Sequence, residues 1–222
     1  VEPIAGNMGV VLPQSGFLET IRKVTEQSGA ILIFDEVITG FRVSYGGAQE
    51  LFGIKPDITC LGKIIGGGLP VGAFGGCEKI MQNLAPIGDV YQAGTLSGNP
   101  VVMSAGIATL SNLINDNLYD RLEGLGAMIE SGLLSSYNDI NIQVPRCGSM
   151  FGLFFSKKVI NNWNDVRSTD LSNYKKMHRL MLERGYYLPP SPYESLFIST
   201  AHSESDIEGF INSFHEIRFL LS

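Results

Sequence analysis

Cysteine, histidine and basic residues are all scarce in this sequence. Three cysteines (Cys60, Cys77, Cys147) are spread over 222 residues, which excludes a disulfide framework and a cysteine-based zinc site and reads as packing. Lysine and arginine total 16 against 22 acids, a net charge of −6. No basic run exceeds two residues, so the electrostatic footprint of a nucleic-acid binder is missing. No apolar run approaches the ~18 residues of a membrane span. Asn-x-Ser/Thr sequons are absent, which favours a chain outside the secretory pathway, in the cytoplasm. Three histidines (His178, His202, His215) are dispersed. Walker, G-x-S-x-G and H-E-x-x-H motifs do not occur, and in Gly66–Gly72 a valine, Val71, stands where a dinucleotide fingerprint needs its third glycine. Nucleotide binding, triad hydrolysis and metal catalysis therefore lack support.

Apolar residues, by contrast, make up 44% and charged ones only 17%, a balance that folds rather than staying disordered. The 26 glycines exceed the usual ~7% without any period, which points to turns around a ligand. Phe17, Leu18, Ile21 and Val24 recur at helical spacing between Ser15, a candidate N-cap, and Gly29, a candidate C-terminal stop. The unbroken apolar run Ala30–Phe34 predicts a strand covered on both faces. Shorter strands follow at 58–61 and 72–75. Asn99-Pro100 predicts a helix start, and the residues from Val101 to Ile114 are apolar nearly all round, predicting a buried helix. Composition changes at Asn115-Asp116-Asn117. Beyond it the pattern predicts helices over 119–134 and 170–184, strands over 140–144 and 150–155, and a last helix from Ser203 with Ile207, Phe210, Ile211, Phe214 and Ile217 on one face. The expected organisation is a partial α/β sheet domain over 1–114 and a smaller α+β domain over 115–222.

In α/β sheets ligands sit beyond the carboxyl ends of the strands. Asp35 closes the strand ending at Phe34, and Lys63 follows the strand ending at Leu61, just before the glycines 66–68. A lysine used as a covalent amine needs a carbonyl partner, and pyridoxal phosphate is the commonest such cofactor. That cofactor also needs a carboxylate against its ring nitrogen. Spacing alone leaves open an ordinary turn aspartate and a solvated lysine.

The wording of the sequence goes further. Phe34-Asp35-Glu36-Val37-Ile38-Thr39-Gly40-Phe41-Arg42 and Leu61-Gly62-Lys63-Ile64-Ile65-Gly66-Gly67-Gly68-Leu69-Pro70-Val71-Gly72 resemble the class III pyridoxal-phosphate aminotransferases. Residues 2–9, 41–49 and 92–100 resemble the glutamate-1-semialdehyde aminomutase branch of that class. The resemblance implies the large sheet domain of a fold-type I, aspartate aminotransferase-like enzyme, followed by its small domain. It implies pyridoxal or pyridoxamine 5′-phosphate as cofactor, Lys63 as covalent partner and proton shuttle, Asp35 at the pyridinium nitrogen and Val37 on one ring face. Thr95, with the backbone beside it at Gly94, would hold the phosphate of a neighbouring subunit, making a homodimer with shared sites. Asn7 and Glu2 match residues at the cofactor's edge, and Glu194 an acid reaching the site from the small domain. The glycines after Lys63 let the backbone turn tightly beside a bulky neighbour.

The activity so implied is an isomerisation of a small amino-aldehyde, glutamate 1-semialdehyde, to 5-aminolevulinate for tetrapyrroles. The setting is the cytoplasm, or the plastid stroma for a plant or algal parent. An ordinary class III aminotransferase acting on an ω-amine, and an inactive fragment that only folds and dimerises, are the alternatives. Members of the family are about twice as long. Val1-Glu2-Pro3-Ile4 reads like the end of a buried strand, so the expectation is a piece without the N-terminal half, its glycine-rich phosphate turn and the aromatic residue on the other face of the ring.

Overall fold

The computed structural model describes residues 1–114, 117–135 and 140–221. They form two compact units, Val1–Pro3 with Ser15–Asp116 and Ile4–Gln14 with Asn117–Ser222. The composition break at Asn115-Asp116 falls outside the described residues.

The first unit runs α1 (Phe17–Ser28), β1 (Ile33–Glu36), α2 (Gly47–Phe52), β2 (Ile58–Gly62), a three-ten turn (Lys63–Gly66), β3 (Gly72–Gly76), α3 (Glu78–Met81) and α4 (Pro100–Asn112). β1 and β2 are parallel, with Ile33 opposite Ile58 and Glu36 opposite Leu61, and β3 lies antiparallel to β2. Leu18 of α1 packs on Leu32 and Phe34. Ile31 and Ile33 remain 54% and 42% exposed, which corrects the two-faced burial expected of this strand. Side chains alternate along a strand, and α1 covers only the Leu32–Phe34 face. The expected Ser15 cap is also displaced: Gly16 holds the N-cap at φ 79, and Gly29 stops the helix at φ 69.

Helix α4 starts where the sequence places it. The Asn99 side chain accepts hydrogen bonds from the N–H groups of Val101 and Val102, with Pro100 at the first position. It is not a buried helix, since Val101 and Ile107 are 66% and 67% exposed. An all-apolar sequence permits burial all round, and this unit supplies cover on one side only.

The second unit holds α5 (Leu118–Leu134), β4 (Ile142–Gln143), β5 (Arg146–Cys147), β6 (Met150–Phe151), β7 (Phe154–Phe155), α6 (Trp163–Arg167), α7 (Leu171–Glu183), β8 (Leu196–Phe197) and α8 (Glu204–Ile217). The single strand expected over 150–155 is two, β6 pairing with β5 and β8 and β7 pairing with β4, all antiparallel. Leu122, Leu125, Ile129 and Leu133 form one stripe of α5. It shares a core with Met177 of α7 and with Phe210 and Phe214 of α8. Helix α8 opens on a capping box between Ser203 and Asp206. Arg146 ties the sheet to α5 through Glu123 at 2.7 Å and Glu130 at 2.9 Å.

Residues 4–14 pack with this second unit, not with the sheet that the sequence reading joined them to. Ala5 and Val11 pair with each other, Val11 packs against Phe154, and the Gly9 N–H donates to the Tyr193 carbonyl at 2.6 Å. All three cysteines are free, and Cys77 is exposed where packing was expected. Burial pushes the Cys147 thiol up to about 11. Among the described residues no acid, histidine and cysteine cluster could hold a metal, and no helix is long and apolar enough to cross a membrane.

Candidate active site

The parallel register of β1 and β2 brings the carboxyl ends of both strands to one edge of the sheet. Asp35 and Glu36 leave that edge on opposite faces, because consecutive residues of a strand alternate. Asp35 is half-buried, and Glu36, which shares the face of Phe34, is 1% exposed.

One Asp35 carboxylate oxygen, Oδ1, accepts the Val37 N–H at 3.1 Å, a turn that fixes the side chain against its own backbone. Its other oxygen accepts no hydrogen bond among the described residues. The half-buried Val37 covers the backbone at the end of β2: a Cβ at Gly62 would lie 3.2 Å from Val37 Cγ1. Lys63 comes next, exposed, and opens the three-ten turn at φ 49. Few residues other than glycine adopt that region, and they hold it only where the surroundings impose it. A carboxylate oxygen without a partner, a half-open valine and a lysine held in an unusual backbone state thus share one strand edge.

Glu2 belongs to the same unit. The Val1 carbonyl accepts the Asp35 N–H at 2.9 Å, and the Val1 nitrogen donates to the Ile33 carbonyl at 2.8 Å, so Val1, just before the half-buried Glu2, runs along β1. Gly94 and the exposed Thr95 lie in the turns leading to α4, where the Ser97 N–H donates to the Gly94 carbonyl at 2.9 Å. Gly94 also lines an apolar cavity of about 710 Å³ with Phe41, Leu61, Ile65, Val71 and Met103. Asp35, Val37, Lys63 and Thr95 are outside its wall.

Asn7 and Glu194 belong to the second unit, where their loops are fastened together. Ser195 Oγ donates to the Gly6 carbonyl at 2.8 Å, beside the Gly9–Tyr193 bond. Glu194 itself is exposed and lines a cavity of about 500 Å³ with Tyr186, Tyr187 and Phe197.

Sequence reasoning passed over Glu36. Its carboxylate accepts from Thr39 Oγ1 at 2.8 Å, from the Ala48 N–H at 2.6 Å, and from the N–H and side-chain amide of Gln49, each at 3.1 Å. It thereby anchors the start of α2 to the end of β1, with Val37 on the loop between them. The signal was available: the second of two acids after an apolar strand falls on the face of Phe34, and a buried carboxylate demands donors.

Comparison with known proteins shows the family. Residues 1–204 match the Aminotransferase class-III family, and the chain belongs to it. It is 52% identical over 217 residues to the glutamate-1-semialdehyde 2,1-aminomutase of Thermosipho africanus, covering 97% of this chain and 51% of that protein. The enzyme of the same name from Thermosipho melanesiensis is 55% identical over 213 residues, covering 96% and 50%. The chain spans about half the length of these relatives. Among solved structures, an omega-transaminase from Sphaerobacter thermophilus superposes with a TM-score of 0.88 at 30% identity, over 99% of this chain and 51% of that one. A glutamate-1-semialdehyde aminomutase from Pseudomonas aeruginosa, solved in complex with pyridoxamine phosphate, shares the fold at the same TM-score and 24% identity, over 100% and 51%. The fold is part of a fold-type I, aspartate aminotransferase-like enzyme, as the sequence reading expected.

Proposed function

We propose that this chain is part of a pyridoxal-phosphate-dependent isomerase that converts glutamate 1-semialdehyde to 5-aminolevulinate. The observation that carries the reading is the 52–55% identity to aminomutases along nearly the whole chain. The residues present fit the cofactor: the unpartnered Asp35 oxygen suits a protonated ring nitrogen, Val37 an aromatic face, and Lys63 a carbonyl carbon.

Pyridoxal phosphate supplies an electron sink and a carrier for the amino group. Asp35 would face the ring nitrogen and favour its protonated form. Val37 would pack on one face of the ring. The Lys63 amine is the covalent partner and moves a proton between two neighbouring substrate carbons, taking it up at Nζ and returning it from there. Thr95 and the Gly94 backbone hold the phosphate of a second subunit, so the working form is a homodimer. Glu2 and Asn7 serve the cofactor's edge. Glu194 repels the carboxylate of external keto acids and so favours isomerisation over exchange. The three free cysteines suit the cytoplasm or a plastid stroma.

The test is the absorbance spectrum of the purified protein with pyridoxal phosphate, followed by borohydride reduction and peptide mass analysis. The expected result is a reduced adduct on Lys63, lost in Asp35→Ala at the same cofactor concentration. No adduct from folded protein overturns the assignment. In the full-length parent, 5-aminolevulinate should form without an external amino donor. Strict dependence on 2-oxoglutarate would instead identify an ordinary ω-amine aminotransferase.

A further inference from the structure

We propose that Gly106 of α4 is a positioning residue for Lys63. This rests on reading Lys63 as the reactive amine. The side chain of Lys63 is exposed, so burial does not hold it, and its backbone stands at φ 49, a state that needs outside support. That support comes from α4 through backbone contact. A Cβ placed on Gly106 would lie 2.3 Å from the Ile65 carbonyl oxygen, and one on Gly67 would lie 2.7 Å from the Ala105 carbonyl and 2.6 Å from Thr109 Oγ1.

Ala105, Gly106 and Thr109 form one face of α4, and Ile65 and Gly67 flank the end of the lysine's turn. The turn is closed on itself by the Gly67 N–H donating to the Ile64 carbonyl at 3.0 Å, so it moves as a unit. Glycine is a poor choice in the interior of a thirteen-residue helix by propensity alone. Here it admits a carbonyl that no other residue would. Replacing its hydrogen by a methyl requires the Ile65 oxygen to retreat by about 1 Å to reach ordinary contact, and Lys63 lies two residues up the chain.

The experiment compares the wild-type chain with Gly106→Ala in two readouts. The first needs no cofactor: acetic anhydride labels the amines over a pH series, and mass analysis gives the reactivity of Lys63 relative to Lys55, an exposed lysine of the same unit. The second is the rate of borohydride trapping of pyridoxal phosphate on Lys63. Gly106→Ala should change the labelling ratio from its wild-type value and slow trapping by about tenfold, with a cooperative unfolding transition retained. Ser104→Ala, on the exposed side of the same helix, should change neither.

Should Gly106→Ala fail to fold, Thr109→Ala takes its place. It only removes atoms, and loosening the neighbouring contact of α4 with Gly67 should slow trapping by about twofold. An unchanged ratio and an unchanged trapping rate in a folded variant overturn the proposal. Absence of any wild-type adduct overturns the reading of Lys63 alone, because the labelling ratio still decides whether Gly106 holds the turn.

Discussion

Glu36 and Asp35 are neighbours in sequence with opposite fates. The Glu36 carboxylate is surrounded by four donors and shielded from water; Asp35 keeps one oxygen free at the strand edge. Removing a buried acceptor strands its donors, which costs far more than the bonds contribute net. Glu36→Ala should therefore destabilise the chain by about 3 kcal/mol in urea unfolding. Glu36→Gln, which keeps the shape but turns the donating NH2 of its amide toward donors, should fall between. A loss below the ~0.5 kcal/mol typical of surface substitutions would show that α2 is not anchored this way. Asp35 was legible because a strand end is where a sheet presents chemistry. Glu36 was not, because two adjacent acids look alike until alternation assigns one to the core.

Helix ends were the most readable elements, since a cap is decided within three or four residues. Asn99, Asp170 and Ser203 all cap helices at the residue before the helix begins. Ser15 failed because a glycine beside it reaches a left-handed φ that serine avoids. Asp170 also makes a pH prediction. The hydroxyl of Ser172 and then the N–H of Asn173 hold its carboxyl below the usual carboxylate range. A folded pKa below the unfolded one gives stability that is present above the unfolded value, near 4, and lost as pH falls through the folded value. Asp170→Asn keeps the shape of the cap without its charge. Its urea midpoint should lie below wild type at pH 7, and the gap should close as the pH drops below about 4. A gap independent of pH would assign the loss to geometry instead.

At the scale of the whole molecule, the unbroken apolar run of β1 and the all-apolar α4 told only which faces can be covered. Which faces are covered depends on what else the chain supplies, and Ile31, Ile33, Phe74, Val101 and Ile107 stay open. Open apolar surface of this kind binds apolar dyes. The chain should bind anilinonaphthalene sulfonate at neutral pH while retaining cooperative unfolding, and Val101→Ser with Ile107→Ser should lower the bound fluorescence. Equal fluorescence in the double variant would place the dye elsewhere. The strand ends bearing Asp35 and Lys63 were legible because parallel neighbours bring them to one edge. The company of Asn7 was not, because no local pattern announces a bond between Gly6 and Ser195, 189 positions apart.

That bond has a kinetic consequence. Residues 4–14 are made before the sheet unit, yet Phe154, Tyr193 and Ser195, which receive them, are made after it. The early segment must wait through the synthesis and collapse of the sheet unit before its own unit exists to accept it. Closing so long a loop is entropically slow and keeps Ile4, Val10 and Val11, all buried at the end, in water meanwhile. Vectorial synthesis therefore completes the second unit after the sheet unit, and until then these apolar residues are exposed to misassociation.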